Sequence, residues 1–405
     1  MNTASNPNPN PNPIPTFLLV GNYGVGNAGD EILRAYFLER FPEVQWQVVS
    51  ARPSQGELPR FPAGLRSFLS FRWLRTCIAL VQSHGLVFGG GSLWTDMESL
   101  SACFIWSVHA WFAWFLRKPY FLAFQGIGPF RTKTGERLAQ WVVRHAAFIS
   151  VRDQASFERL SGACPAPSFS PVHGLHQNRI FAPATRERAG WKKHTKVIQS
   201  FDPSIVLLEA KNTESRIKNL LVFIPKFCTP RLALRSAQGS LGASTSMSIS
   251  TNAANILSTL KHWKETQGPV RILSLHAESE GEQELCRHYG GVLKVPVGSL
   301  HSLTEAWRFL ADASLVLTER YHGALAALAC GTPFIALRQE TGDKLDALAK
   351  LCGCPSEIST SLSLKVLTET DWGRKAEKLM PVRERCLEDA RRGEEALREA
   401  LRRGL

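Results

Sequence analysis

The chain alternates short apolar runs with amphipathic stretches, and most of the apolar runs end in glycine or charge. Strands are expected at Phe17–Val20, Val44–Val49, Gly85–Phe88, Pro119–Phe124 and Ala147–Val151. A helical pattern follows the first of them through Ile32, Leu33, Tyr36 and Phe37. Another, Cys103–Leu116, is apolar on every face and reads as a core or interfacial helix. A second series begins with a strand at Leu220–Ile224, then a helix over Ala253–Thr266, a strand at Val270–Leu275 and a helix over Leu303–Leu310. It closes with strand Leu315–Leu317, helix Ala324–Cys330 and strand Phe334–Leu337. Buried strands separated by helices predict an α/β protein with parallel, doubly wound sheets.

Between the two series, from about Ser161 to Arg216, periodicity fades around Pro165, Pro167, Pro171 and Pro183. This region is expected to join two domains and to carry an insertion. Ser236–Ser248 is small and polar, which suggests a loop able to act as a lid. Val382–Arg403 reads as a mixed-charge helix with a solvated face. A chain of 405 residues exceeds the usual limit of one core, so two domains are expected. The expected division is an Asn/Pro tail over 1–15, a Rossmann-like domain over 16–195, a second over 196–381 and a charged helix over 382–405.

Composition narrows the partners. With 44% hydrophobic and 20% charged residues the chain is an ordinary globular protein, and its formal charge of +13 favours acidic ligands. A denser basic patch lies at Trp191–Lys196, yet no nucleic-acid module is recognisable, so no nucleic-acid partner is expected. Nine irregularly spaced cysteines fit reduced thiols. The opening Asn-Pro repeat is unlike a secretion leader, so the expected location is the cytoplasm, with the Trp106, Trp111 and Trp114 helix available for contact at a membrane's inner face. No cluster has metal-ligand spacing, and no metal or bound cofactor is expected.

Candidate chemistry gathers at the strand exits. Glu319-Arg320-Tyr321-His322-Gly323 follows a strand and opens a helix, where ligands of open α/β sheets bind. A guanidinium can hold carboxylate or phosphate in a fork, and an imidazole two residues away can move a proton near neutral pH. The alternative is structural: an arginine tied to a carboxylate such as Glu319, and a histidine that only caps the helix. Gly24-x-Gly26-x-x-Gly29 matches the dinucleotide fingerprint, but Asp30 and Glu31 on the first helical turn would repel a pyrophosphate; they suit sugar hydroxyls better, the alternative being that they only complement the helix dipole. Gly89, Gly90 and Gly91 permit close approach of a ligand to the backbone, and Ser92 and Asp96 follow them.

Gly21–Glu31, with Asn27 inside it, Gly89–Asp96, Gln125–Pro129, Ser150–Asp153 and Glu319–Gly323 together resemble the polysaccharide pyruvyl transferase family in order and spacing. The resemblance implies two Rossmann-like domains, GT-B-like, facing across a cleft. It also implies transfer of a pyruvate ketal from phosphoenolpyruvate to two hydroxyls of a sugar in a surface polysaccharide or its lipid-linked precursor. On that reading His322 is the general acid and Arg320 holds the donor's carboxylate or phosphate. Lys226, Arg152 and Lys344 neutralise the remaining charge, and Asp30 or Asp96 serves the acceptor. Asn27, Gly90, Gly91, Ser92 and Glu319 complete the substrate contacts. Two departures stand out: Lys226 replaces an arginine common in relatives, and Pro171–His176 lacks their Pro-Asp. Rival readings are a nucleotide-sugar glycosyltransferase and a non-catalytic binding protein.

Overall fold

The structure is a computed structural model describing residues 14–62, 64–97, 99–161, 197–208, 219–226, 251–300, 309–338, 344–358, 362 and 364–404, with backbone alone at 251–253. Contacts divide the chain into two units. One comprises Met1–Tyr23, Arg34–Ser200 and Gly393–Leu405; the other comprises Gly24–Leu33 and Phe201–Arg392.

The first unit is built on strands β1 (Thr16–Val20), β2 (Gln45–Ser50), β3 (Leu58–Pro59), β4 (Gly85–Trp94), β5 (Tyr120–Ile127), β6 (Phe148–Val151) and β7 (Val197–Gln199). All pairings are parallel and the order is β3-β2-β1-β4-β5-β6-β7, so the direction of winding reverses between β1 and β4. Its helical segments are α1 (Ala28–Arg40), α2 (Leu65–Leu69), α3 (Leu74–Gln82), α4 (Leu100–Phe115), α5 (Lys133–His145) and α6 (Gln154–Ser161), with α1 up to Leu33 being counted with the other unit. The expected apolar runs form strands because both of their faces are covered: every residue of β5 is buried. One face packs through Leu18, Val20, Leu86 and Phe88; on the other, the rings of Phe17 and Phe121 meet edge to face at 5.8 Å.

The second unit has strands β8 (Leu221–Ile224), β9 (Val270–Ser274), β10 (Val297–Ser299), β11 (Leu315–Thr318), β12 (Phe334–Arg338) and β13 (Ser356–Ile358). The order is β10-β9-β8-β11-β12-β13, again parallel, with its reversal between β8 and β11. Its helical segments are α7 (Ser204–Leu207), α8 (Thr251–Thr266), α9 (Glu280–Leu293), α10 (Tyr321–Ala329), α11 (Lys344–Leu351), α12 (Leu364–Glu369) and α13 (Trp372–Arg403), the part of α13 from Gly393 onward being counted with the first unit. Period-two alternation sends Val222, Ile224 and Val316 into one core and Leu221, Phe223 and Leu317 into the other.

The expected division changes in three places. Residues up to Ser200 belong to the first unit, because β7 pairs with β6. The glycine-rich segment Gly24–Leu33 is counted with the second unit. The terminal helix does not begin after Pro381: it starts at Trp372 and runs through that proline. Proline removes a backbone donor and normally ends such a pattern. Here Leu379 on one side and Cys386, Leu387 and Ala390 on the other are buried in one core, which fixes both halves of the helix. The Asn/Pro tail up to residue 13, nearly all of the 161–216 region's proline-rich part with the basic patch, the Ser236–Ser248 loop and most of the Leu303–Leu310 segment lie outside the described residues.

Candidate active site

The second sheet reverses at β8 and β11, and the polar residues that leave those two strands come together. Beyond β11 the backbone of Arg320 is held by one side chain, since the Thr318 hydroxyl accepts from Arg320 N at 3.0 Å and donates to Arg320 O at 3.1 Å. Arg320 is extended (φ −114, ψ 132) and stands at the N-cap position of α10, whose alanine and leucine residues are buried. Gly323 lets this helix approach the sheet: a Cβ there would lie 2.5 Å from the Thr318 hydroxyl and 3.0 Å from Ile224 Cδ1.

Arg320 forms an ion pair with Glu282, from the first turn of α9. Glu282 is fully buried, and its other oxygen accepts from Ser274 Oγ at 3.0 Å and Leu275 N at 3.1 Å. A carboxylate with its oxygens engaged in this way fixes the direction of the guanidinium. Glu319 is engaged elsewhere, accepting the backbone N–H of Lys226 at 2.8 Å and so joining the exit of β8 to that of β11. Lys344 begins α11 and is exposed, with its ammonium 5.3 Å from the centre of the Tyr321 ring.

The half-buried ring of His322 meets Tyr321 edge to face at 5.3 Å and lies against Gly29, where an added Cβ would overlap it. Gly29 belongs to the first turn of α1. There Asn27 Oδ1 accepts from Gly29 N at 3.2 Å, and Asn27 Nδ2 donates to Asp30 at 2.8 Å. Further contacts tie this segment to the loop after β9: Ala28 N donates to Leu275 O at 3.2 Å, and His276 Nε2 lies 3.2 Å from Val25 O. Asn27, Asp30, Lys226, Glu319, Arg320, His322 and Lys344 therefore belong to one unit. Within it the segment bearing Asn27 and Asp30 meets His322. Together they offer cations for an anion, an imidazole for proton movement and a carboxylate for a hydroxyl.

The remaining expected residues group in the first unit. Gly90 and Gly91 have φ of 88° and 94°, inside the left-handed region that favours glycine. Arg152, buried, donates to Ser92 Oγ at 2.9 Å. Asp96 is also buried and accepts from Arg131 N at 2.5 Å, Thr132 N at 2.8 Å and Thr132 Oγ1 at 2.5 Å. Those three donors fasten the loop before α5.

Sequence reasoning missed Glu282 and His276. Ser279-x-x-Glu282 before an apolar pattern is a helix-start signal, and Ser279 does cap α9, accepting from Glu282 N at 3.3 Å. That signal assigns the glutamate to the cap and conceals its partner at position 320.

Solved structures show the fold. The chain aligns with an Anabaena protein, Alr3699/HepE, solved with UDP and glucose, at 12% identity and a TM-score of 0.52, covering 96% of this chain and 99% of that one. It aligns with UDP-GlcNAc 2-epimerase from Neisseria meningitidis at 10% identity and a TM-score of 0.52, covering 96% and 100%. Another UDP-N-acetylglucosamine 2-epimerase gives 10% identity, a TM-score of 0.53 and 95% of each chain. The class is thus an α/β protein of two parallel-sheet units with the GT-B fold. A family model described as polysaccharide pyruvyl transferase matches residues 27–167 and 184–340, and the chain belongs to that family. No curated protein matches it.

Proposed function

We propose that the protein transfers a pyruvate ketal from phosphoenolpyruvate to two hydroxyls of a sugar in a surface polysaccharide or its lipid-linked precursor. The observation that carries this reading is the joining of two motifs: Arg320, aimed by Glu282, is followed two residues on by His322, whose ring rests on the Asn27–Asp30 turn. Phosphoenolpyruvate carries a carboxylate and a phosphate. Arg320 stands at a helix start with the Lys344 ammonium beside the Tyr321 ring, and Lys226 follows the neighbouring strand, its backbone bound by Glu319.

His322 protonates carbon 3 of the donor, which leaves carbon 2 electron-poor and open to one sugar hydroxyl. Bonding of that hydroxyl to carbon 2, with loss of its proton, is followed by cleavage of the carbon 2–oxygen bond to phosphate. The second hydroxyl then adds to carbon 2, gives up its proton and closes the ketal. Asp30 takes a hydroxyl proton; it shares with Asn27 the turn that meets His322, whereas Asp96 fastens the loop before α5. Phosphate release from phosphoenolpyruvate with a panel of lipid-linked and nitrophenyl sugars tests the assignment. Release in the wild type should fall at least about a hundredfold in Arg320→Ala and His322→Ala proteins. Undiminished release in both variants would remove the proposed roles.

A second reading, transfer from a nucleotide sugar, is favoured by the UDP and glucose in the Anabaena structure. It predicts that a uridine nucleotide raises Tm and phosphoenolpyruvate does not; the first reading predicts the reverse.

A further inference from the structure

Three neighbouring helices of the first unit leave their apolar stripes uncovered. In α4, Leu100, Phe104, Trp111 and Phe115 are exposed; their spacing of four, seven and four places them on one face, with Trp114 exposed beside it. In α3 the exposed residues are Leu74, Ile78 and Val81, at spacings of four and three. In α2 they are Leu65, Phe68 and Leu69, and Phe71 in the following turn is 58% exposed. Aromatic contacts join these segments: Phe61, before α2, stacks on Phe112 of α4 at 4.2 Å, Trp73, just before α3, lies 5.8 Å from the same ring, and Phe68 of α2 stacks on Trp73 at 5.5 Å. Scattered exposed apolar residues are ordinary, but three stripes on adjoining helices form a surface that requires a partner.

Charge identifies that partner. Neither Leu58–Thr95 nor Ser99–Gly135 contains an aspartate or glutamate, whereas Arg66, Arg72, Arg75 and Arg117 are exposed there. A second copy docking symmetrically would bring the same arginines toward one another. An anionic bilayer presents hydrocarbon to Phe and Trp and negative headgroups to arginine. Among the described residues no helix is long and apolar enough to cross a membrane. We propose that the α2–α3–α4 surface is a peripheral docking face for an anionic lipid bilayer, with the aromatic side chains entering the headgroup region and the arginines pairing with lipid charge. The inference concerns unit one alone and stands apart from the assignment of the reaction.

Flotation of the full chain with lipid vesicles tests it. Phosphatidylethanolamine vesicles containing phosphatidylglycerol should retain about tenfold or more protein than phosphatidylcholine vesicles, and added salt should weaken the retention. The triple variant Phe104→Ser, Trp111→Ser, Phe115→Ser should lose about tenfold in partitioning with its near-ultraviolet circular dichroism preserved. Should that variant fail to fold, Arg66→Gln, Arg72→Gln, Arg75→Gln decides, by removing the preference for phosphatidylglycerol. Equal retention by both vesicle types, no retention by either, or variants that float like the wild type would overturn the proposal. So would a wild-type dimer that ignores vesicles and becomes monomeric in the triple variant.

Discussion

The ion pair of buried Glu282 with half-buried Arg320 sets the direction of the proposed donor-binding guanidinium, and it could be read from neither residue's neighbourhood. Glu282 lies at a helix start whose local logic is complete without Arg320, and Glu319, adjacent in sequence to the arginine, is committed to Lys226 N. Removing one partner of a fully buried pair leaves a charge uncompensated, at a cost of about 3–5 kcal/mol, and the cost is smaller here because Arg320 keeps 15% exposure. Glu282→Gln should therefore lower the urea midpoint and raise KM for phosphoenolpyruvate more than it lowers kcat, because the guanidinium stays but loses its aim. An unchanged KM in a folded variant would contradict the positioning role.

His109 illustrates a different duty for the same side chain. It is fully buried in α4, accepts from Phe61 N at 3.1 Å through Nε2, and contacts Ile105 O at 2.8 Å through Nδ1. Burial, with Arg60 nearby adding to it, pushes its pKa down from 6.5 to about 4. Below about 6.5 the unfolded chain binds a proton that the folded chain refuses until about 4, so its stabilising contribution is complete above that window and is lost as pH falls through it. The loss approaches the order of 3 kcal/mol at the acid end. Urea unfolding at a series of pH values should show this slope, and His109→Gln should flatten it.

At the scale of elements, long apolar runs were legible because strands buried on both faces need no alternation: β1, β4, β5, β8, β11 and β12 all lie within one or a few residues of the expected runs or extend beyond them. The edge strands β3, β7, β10 and β13, two or three residues each, were not, since pairing and not composition makes them strands. The terminal helix starts ten residues before the expected Val382, at Trp372, because packing on both sides of Pro381 outweighs the lost hydrogen bond. The contact between α1 and α10 was legible only as two separate motifs. Its tightness is specific: a methyl group at Gly29 has no room beside the His322 ring. Gly29→Ala should therefore displace that ring, costing about 1–3 kcal/mol of stability and about tenfold or more in turnover. Full activity in this variant would show that the contact has no part in the reaction.

At the scale of the molecule, the six-stranded sheet repeats the order of the first six strands of the seven-stranded one, and each carries expected ligand residues on or just after the strands at its reversal. Gly90, Gly91 and Ser92 lie in the second half of β4 in one; Lys226 and Arg320 follow β8 and β11 in the other. Reading in chain order assigned Gly24–Leu33 to the first domain, whereas its contacts with Leu275, His276 and His322 count it with the second. Such membership is a property of tertiary contacts that periodicity cannot express. A net charge of +13 accords with a doubly anionic donor and with an anionic lipid surface, and each is tested separately above.

The central claim is that His322 delivers a proton to carbon 3 of phosphoenolpyruvate. Mass spectrometry of the ketal formed in deuterium oxide measures this step at the atom concerned. The account predicts one deuteron in each product methyl group from the wild type and little or no product from His322→Ala. A product methyl group without deuterium, or undiminished deuterated product from the variant, would contradict it.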